Sequence, residues 1–276
     1  MQRPAESRLT PPRSIELIDT HCHLDMASFD DDRADVLARA TAAHITSIVT
    51  IGIDPDSSRR AIALAQSYSH IFATIGIHPH DVQQSGDKEY RLLENLYADY
   101  HRYVVGFGEI GLDYVKGYSD PALQRSHFKR QLDLAHDLKL PVIIHNRQAD
   151  DDTLALLRQA KPLVHGGIMH CFAGDLAFAE KILDLGLLIS IPGIVTFKNA
   201  LTLQEVALRI PLSSMVLETD GPFLAPDPYR GRRNEPAYLQ YTARKVATLR
   251  ELDLHTVAAV TTENAKRLFK LTERPG

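Results

Sequence analysis

Cysteine is scarce in this 276-residue chain, and the two present, Cys22 and Cys171, are too few for a disulfide framework. Long apolar runs are absent too. No stretch approaches the roughly 18 uninterrupted apolar residues of a membrane span, so no membrane partner is expected. A surplus of positive charge is also missing. With a net charge of -4 and a pI near 6.3, the chain has no overall field to hold a long nucleic acid, and an anionic substrate has to be gripped locally. Met1 to Ser14 carries arginines and prolines without the apolar core of a signal peptide. It reads as a flexible N-terminal tail, and a cytoplasmic address is expected. Residues 15–276 contain no linker, repeat or low-complexity block, which predicts one domain.

At 44% hydrophobic and 24% charged, the chain can bury a large core. Its apolar residues alternate regularly between two patterns. Short runs rich in β-branched and aliphatic residues recur at Leu17 to Thr20, Ile45 to Ile53, Ile71 to Ile77, Val104 to Phe107, Pro141 to Ile144, Ile168 to Met169, Leu187 to Ile191 and Met215 to Leu217, each reading as a buried strand. Between them, Asp31 to Ala43, Ser57 to Tyr68, Glu89 to Tyr100, Pro121 to Leu138, Asp151 to Ala160, Leu176 to Leu185 and Leu203 to Arg209 space apolar positions three and four apart, as helices do. Three more helix-like stretches fill Ala237 to Leu271. Eight β-then-α units predict an α/β fold with a parallel sheet, closed most economically as a TIM (β/α)8 barrel; an open doubly wound sheet is the alternative.

Six side chains able to bind a metal stand where these runs stop: His21, His23, Glu109, His145, His170 and Asp220. In a parallel barrel those ends form the functional face. Along Ile18-Asp19-Thr20-His21-Cys22-His23, strand alternation turns His21 and His23 to one side and Cys22 to the other, so two imidazoles can grip one ion. Glu109 lies in Gly108-Glu109-Ile110-Gly111, where glycines allow close approach, and its two oxygens could bridge two ions. Four imidazoles and two carboxylates make a nitrogen and oxygen set suited to Mg2+, Mn2+ or Zn2+, and they suffice for two divalent ions if one carboxylate is shared. Taken singly, each has a plainer reading, such as a hydrogen-bonded core histidine or a buried salt bridge. Only their convergence on one rim favours the metal.

Leu17-Ile18-Asp19-Thr20-His21-Cys22-His23-Leu24-Asp25, Gly108-Glu109-Ile110-Gly111-Leu112-Asp113-Tyr114, Pro141-Val142-Ile143-Ile144-His145-Asn146-Arg147, Met169-His170-Cys171-Phe172 and Glu218-Thr219-Asp220-Gly221-Pro222 resemble, in order, the motifs of the TatD family of metal-dependent deoxyribonucleases. The resemblance runs from about Leu17 to Leu271. It implies an amidohydrolase-like TIM barrel with a two-metal site and exonuclease-type activity on DNA, with single-stranded or frayed ends as the expected partner. Carried over residue by residue, His21, His23, Glu109 and Asp220 would hold one ion, and Glu109, His145 and His170 the other. Gly221 stands where alanine or serine is common in the family.

Two divalent ions can activate water, polarise a phosphoryl oxygen and offset charge on the leaving oxygen, so phosphodiester hydrolysis needs little further acid/base machinery. Asp220 could take the water's proton. Arg147, two residues beyond His145, projects to the same side if the strand continues and can make a two-pronged phosphate contact; a surface salt bridge is the plain alternative. His78, in Gly76-Ile77-His78-Pro79-His80, is expected as a phosphate donor or leaving-group acid. Tyr229 and Arg230, in the arginine-rich loop Pro228 to Pro236, are expected to hold substrate, Tyr229 by stacking on a base; a solvated basic loop is the alternative. Glu218, Asp113 and Asp25 are candidates for orienting ligands. His80 and the remaining histidines read as structural or surface residues, and Asp30 to Asp32 as a helix start. The competing function is an amidohydrolase acting on C–N or ester bonds of a small molecule. Many such sites bridge their ions with a carboxylated lysine at the fourth strand, where this chain offers Glu109.

Overall fold

The computed structural model describes residues 15–160 and 162–271, so the tail expected at residues 1–14 lies outside the described residues. Eight strands follow one another: β1 (Leu17–Cys22), β2 (Ile45–Thr50), β3 (Ile71–Ile75), β4 (Val104–Asp113), β5 (Val142–Arg147), β6 (Gly167–Met169), β7 (Leu188–Ile191) and β8 (Met215–Leu217). They hydrogen-bond in chain order, every pair parallel. The ring closes where Cys22 bridges in parallel to Gly221. There the Asp220 amide donates to the His21 carbonyl at 2.9 Å and the His23 amide to the Gly221 carbonyl at 2.7 Å. The fold is the TIM (β/α)8 barrel, and this closure removes the open-sheet alternative.

Around the ring lie α1 (Arg33–Ala42), α2 (Pro55–Ser67), α3 (Asp87–Tyr100), α4 (Pro121–Asp137), α5 (Asp150–Gln159), α6 (Leu176–Asp184), α7 (Leu201–Arg209), α8 (Leu239–Arg250) and α9 (Leu254–Phe269). Of the three helices predicted at the end of the chain, the first is only a one-turn 3-10 segment, Pro236–Tyr238. Several helices begin on an aspartate whose carboxylate takes an otherwise unbonded amide: Asp54, Asp120, Asp175 and Asp253 cap α2, α4, α6 and α9. Among the described residues no helix is long and apolar enough to cross a membrane.

Strand alternation sorts the core into two sets. Ile18, Val49, Phe72, Ile143, Ile168 and Val216, from six different strands, meet one another and Phe269 of α9, which they can do only inside the ring. Their chain neighbours, among them Leu17, Ile144, Met169 and Leu217, pack outward against helix residues such as Val36, Ile62, Leu93 and Phe128. Burying each such aliphatic side chain stabilises the fold by about 1.5–3 kcal/mol. The interior register then positions the site. Two residues beyond Ile143 comes His145 and then Arg147; two beyond Ile168 comes His170; two and four beyond Val216 come Glu218 and Asp220.

Three strands, β1, β4 and β5, run past the ends of their apolar runs. β4 continues through Asp113 because Gly111, at φ 141, lies so close to β5 that a Cβ there would strike the His145 carbonyl. Paired with it, β5 stays extended as far as Arg147, with Asp113 opposite Arg147. β3 is shorter than predicted. Beyond Ile75 its backbone leaves the ladder, and the Ile77 amide and carbonyl bond the Gln131 side chain instead, at 2.8 and 2.9 Å.

Candidate metal centre

The strand ends bring His21, His23, Glu109, His145, His170 and Asp220 to one place on the carboxyl-end rim. Glu109 lies at the middle with its two oxygens turned to different neighbours. Oε2 is 3.4 Å from His21 Nε2 and 3.8 Å from His23 Nε2. Oε1 is 2.7 Å from His145 Nδ1, 3.5 Å from His170 Nε2 and 3.4 Å from His78 Nε2. Asp220 Oδ1 completes the first group, 3.7 and 3.5 Å from the Nε2 atoms of His21 and His23.

Further carboxylates fix the rings. Glu218, fully buried, accepts from His170 Nδ1 at 3.0 Å and from the Cys171 amide at 2.7 Å, which leaves His170 Nε2 facing Glu109. Asp113 Oδ2 lies 3.3 Å from His145 Nε2 and 2.8 Å from His80 Nε2, and its Oδ1 accepts the amides of Val115 and Lys116. Glu218 and Asp113 thus each contact the ring of a candidate ligand histidine, His170 and His145. Asp25 instead binds Arg60 at 3.0 Å. Asp19 links β1 to β8, accepting the Thr219 amide at 2.9 Å and its hydroxyl at 2.5 Å; burial pushes its carboxyl up to about 7 against those bonds.

Protons divide unevenly over this cluster. Burial lowers His21 to about 3, and His170, stacked on it with centroids 3.4 Å apart, adds to the effect. Burial acts on His170 in the same sense, but the Glu218 and Glu109 carboxylates outweigh it and raise that ring to about 10. Burial also opposes charge on His23 and His145, but Asp220 raises the first ring and Asp113 with Glu109 the second. Burial would push Glu109 up, yet the imidazoles of His78 and His170, with hydrogen bonds from His145 and His21, hold it well below the carboxylate range.

A divalent cation fits this donor set. The Nε2 atoms of His21 and His23 converge to 3.3 Å, while both Nδ1 atoms are buried without a hydrogen-bond partner. Two buried imidazoles so oriented, beside Glu109 Oε2 and Asp220 Oδ1, offer two nitrogens and two anionic oxygens to one point. His78, Glu109 and His145 form a second group with ligand atoms within 4.8 Å of one another. Cys171 groups likewise with His170 and Asp220, whereas Cys22 faces the outer layer with its thiol on the Gly221 carbonyl.

Above the cluster opens a cavity of about 760 Å³, lined among others by His78, His80, Tyr118, Arg147 and Phe223. Arg147 is exposed there at the end of β5. Tyr229 and Arg230, expected to hold substrate, do not line it. The Tyr229 ring stacks on Tyr238 with centroids 4.1 Å apart and its hydroxyl accepts from Tyr241, while Arg230 lies over the Phe197 ring. Arg233 of the same loop is bonded to Asp32. Conversely, His80, read from sequence as structural or surface, faces the cavity through its bond to Asp113. Its spacing from His78, the same i to i+2 interval as His21 and His23, is the signal that could have found it. Nothing in sequence marks Tyr118 or Phe223.

A closed parallel barrel that gathers buried imidazoles and carboxylates at its carboxyl rim defines a metal-dependent hydrolase of the TIM-barrel class. More particularly, the chain belongs to the TatD family: the model of the TatD related DNase family matches residues 18–270. It is 41% identical to the uncharacterized metal-dependent hydrolase YabD of Bacillus subtilis over 255 residues, covering 92% of this chain and 99% of that one. It is 35% identical to a Salmonella typhimurium protein named 3'-5' ssDNA/RNA exonuclease TatD, over 92% of this chain and 99% of that one. The crystal structure of the TatD homolog YJJV from Escherichia coli superposes with a TM-score of 0.89 at 30% identity, covering 94% of this chain and 99% of that chain.

Proposed function

We propose that the protein hydrolyses phosphodiester bonds at the ends of DNA strands, using two divalent ions. The observation that carries this reading is the division of Glu109, whose Oε2 faces His21 and His23 while Oε1 faces His145 and His170. One carboxylate shared between two imidazole pairs is the geometry of a bridge. His21, His23, Glu109 and Asp220 would hold one ion, and Glu109, His145 and His170 the other. When bound, the ions supply Lewis acidity toward the phosphoryl group and make water acidic enough to attack near neutral pH. The relative named as a ssDNA/RNA exonuclease supports nucleic acid as the substrate.

The chain's own residues do the rest. The Asp220 carboxylate, on the cavity floor, takes the proton of the attacking water. Arg147 binds the non-bridging phosphate oxygens through its planar fork. His78 acts as a donor rather than a ligand. Its Nδ1 accepts the His80 amide at 3.1 Å, and burial keeps the ring neutral by lowering it to about 4, so its proton sits on Nε2. That nitrogen faces Glu109 Oε1 at 3.4 Å, and on the cavity wall its proton can be shared with a phosphate bound beside that carboxylate.

The test is a metal-stripped preparation assayed on short single-stranded DNA. Activity should vanish on chelation and return with Mg2+, Mn2+ or Zn2+. Turnover of amides or carboxylic esters with none of DNA under any of these ions would move the assignment to an amidohydrolase.

A further inference from the structure

Tyr118, 62% exposed, and Phe223, 48% exposed, are large apolar side chains that face solvent and also line the cavity. Tyr118 lies beyond β4 and Phe223 beyond β8. In a closed ring of eight strands joined in order, those two loops stand on opposite sides of the mouth. Each ring is steadied by a histidine of the site. Tyr118 meets His80 nearly perpendicularly with centroids 4.9 Å apart, and Phe223 meets His23 in the same manner at 6.0 Å. The candidate metal centre lies on the floor between them, with the exposed Leu224 beside Phe223.

We propose that Tyr118 and Phe223 are specificity-determining stacking platforms for the unpaired bases on either side of the scissile phosphate, so that the substrate is a single-stranded end. This rests on the phosphodiesterase reading above. With a net charge of -4, the protein gains little from the phosphate backbone as a whole, and Arg147 offers one local phosphate contact. Affinity for a strand therefore has to come from elsewhere. Aromatic faces supply it without reading sequence, because every base has a π-face; bases inside a duplex are already stacked and paired and cannot be shared out to two opposed rings. Tyr229 cannot serve in this way with the face that Tyr238 covers.

The experiment compares three metal-loaded substrates: a single-stranded oligodeoxynucleotide, the same strand with abasic residues at its terminal positions, and a blunt duplex. Wild type should favour the base-bearing single strand over the abasic one by roughly 25-fold or more in kcat/KM, since each of the two stacked bases contributes about fivefold or more. Tyr118→Ala and Phe223→Ala should each lose about fivefold or more of that preference, mainly through KM, and Tyr118→Phe should keep it. Equal rates of wild type on base-bearing and abasic ends, an undiminished preference in both alanine variants, or cleavage of the blunt duplex as fast as the single strand would overturn the platforms while leaving the phosphodiesterase reading in place. Failure of wild type to cleave any strand would overturn that reading, and the platforms with it.

Discussion

Glu218 and His170 form a fully buried carboxylate–imidazole pair, with His170 Nδ1 donating to Glu218 Oε2 at 3.0 Å. That bond fixes both the rotation of the ring and which nitrogen faces Glu109. Glu218→Gln keeps the shape and removes the charge that holds the proton on Nδ1. Metal affinity is expected to fall about 10- to 100-fold, as it does when partners of metal-binding histidines are lost. Competition against a fluorescent chelator measures it, and an unchanged dissociation constant would take Glu218 out of this role.

Glu109 and Arg147 separate two kinds of contribution. Glu109→Ala removes the carboxylate facing both imidazole groups and is expected to lower kcat by about 100-fold or more, a loss of transition-state stabilisation. If Arg147 binds phosphate as proposed, Arg147→Ala should raise KM about tenfold with a smaller change in kcat. Steady-state kinetics on a single-stranded oligonucleotide reads both. Equal and small effects from the two variants would contradict the site assignment.

The loop after β8 is tied to the start of α1 by charge. Arg233 donates to both oxygens of Asp32 at 2.7 Å, and Arg39 donates to Glu235 at 2.8 and 2.7 Å and to Asp32 at 3.3 Å. Chiefly through Arg233, these bonds hold the Asp32 carboxyl at about 2, below its ordinary 3.8. A carboxylate depressed on folding stabilises the native state above its unfolded value, and that contribution is lost as pH falls from about 4 toward 2. Wild type should therefore lose more of its urea midpoint across that window than Asp32→Asn does. Identical slopes for the two proteins would show that the pair carries no net stability.

The reach of sequence reasoning follows from which interactions are local. Side-chain alternation is a property of one strand's backbone, so His21 and His23 could be placed on one side, and Cys22 on the other, without any knowledge of the neighbours. The same rule carried His145 forward to Arg147. Glu109 was legible for a related reason, since Gly108 and Gly111 announce a close approach before its partner is known.

The loops obey no such period. His80 gains its place only because β4 continues to Asp113, whose carboxylate meets that ring at 2.8 Å. Tyr229 looked free beside three arginines, but Tyr238 and Tyr241, nine and twelve residues further on, claim its face and its hydroxyl. The Asp32–Arg233 pair spans about two hundred positions. Residue order and backbone alternation thus determined the eight β–α units and where the candidate metal-binding residues stand along them. Closure of the ring, a non-local event, decided which loops face each other across the mouth, which side chains are already taken, and where Tyr118 and Phe223 stand.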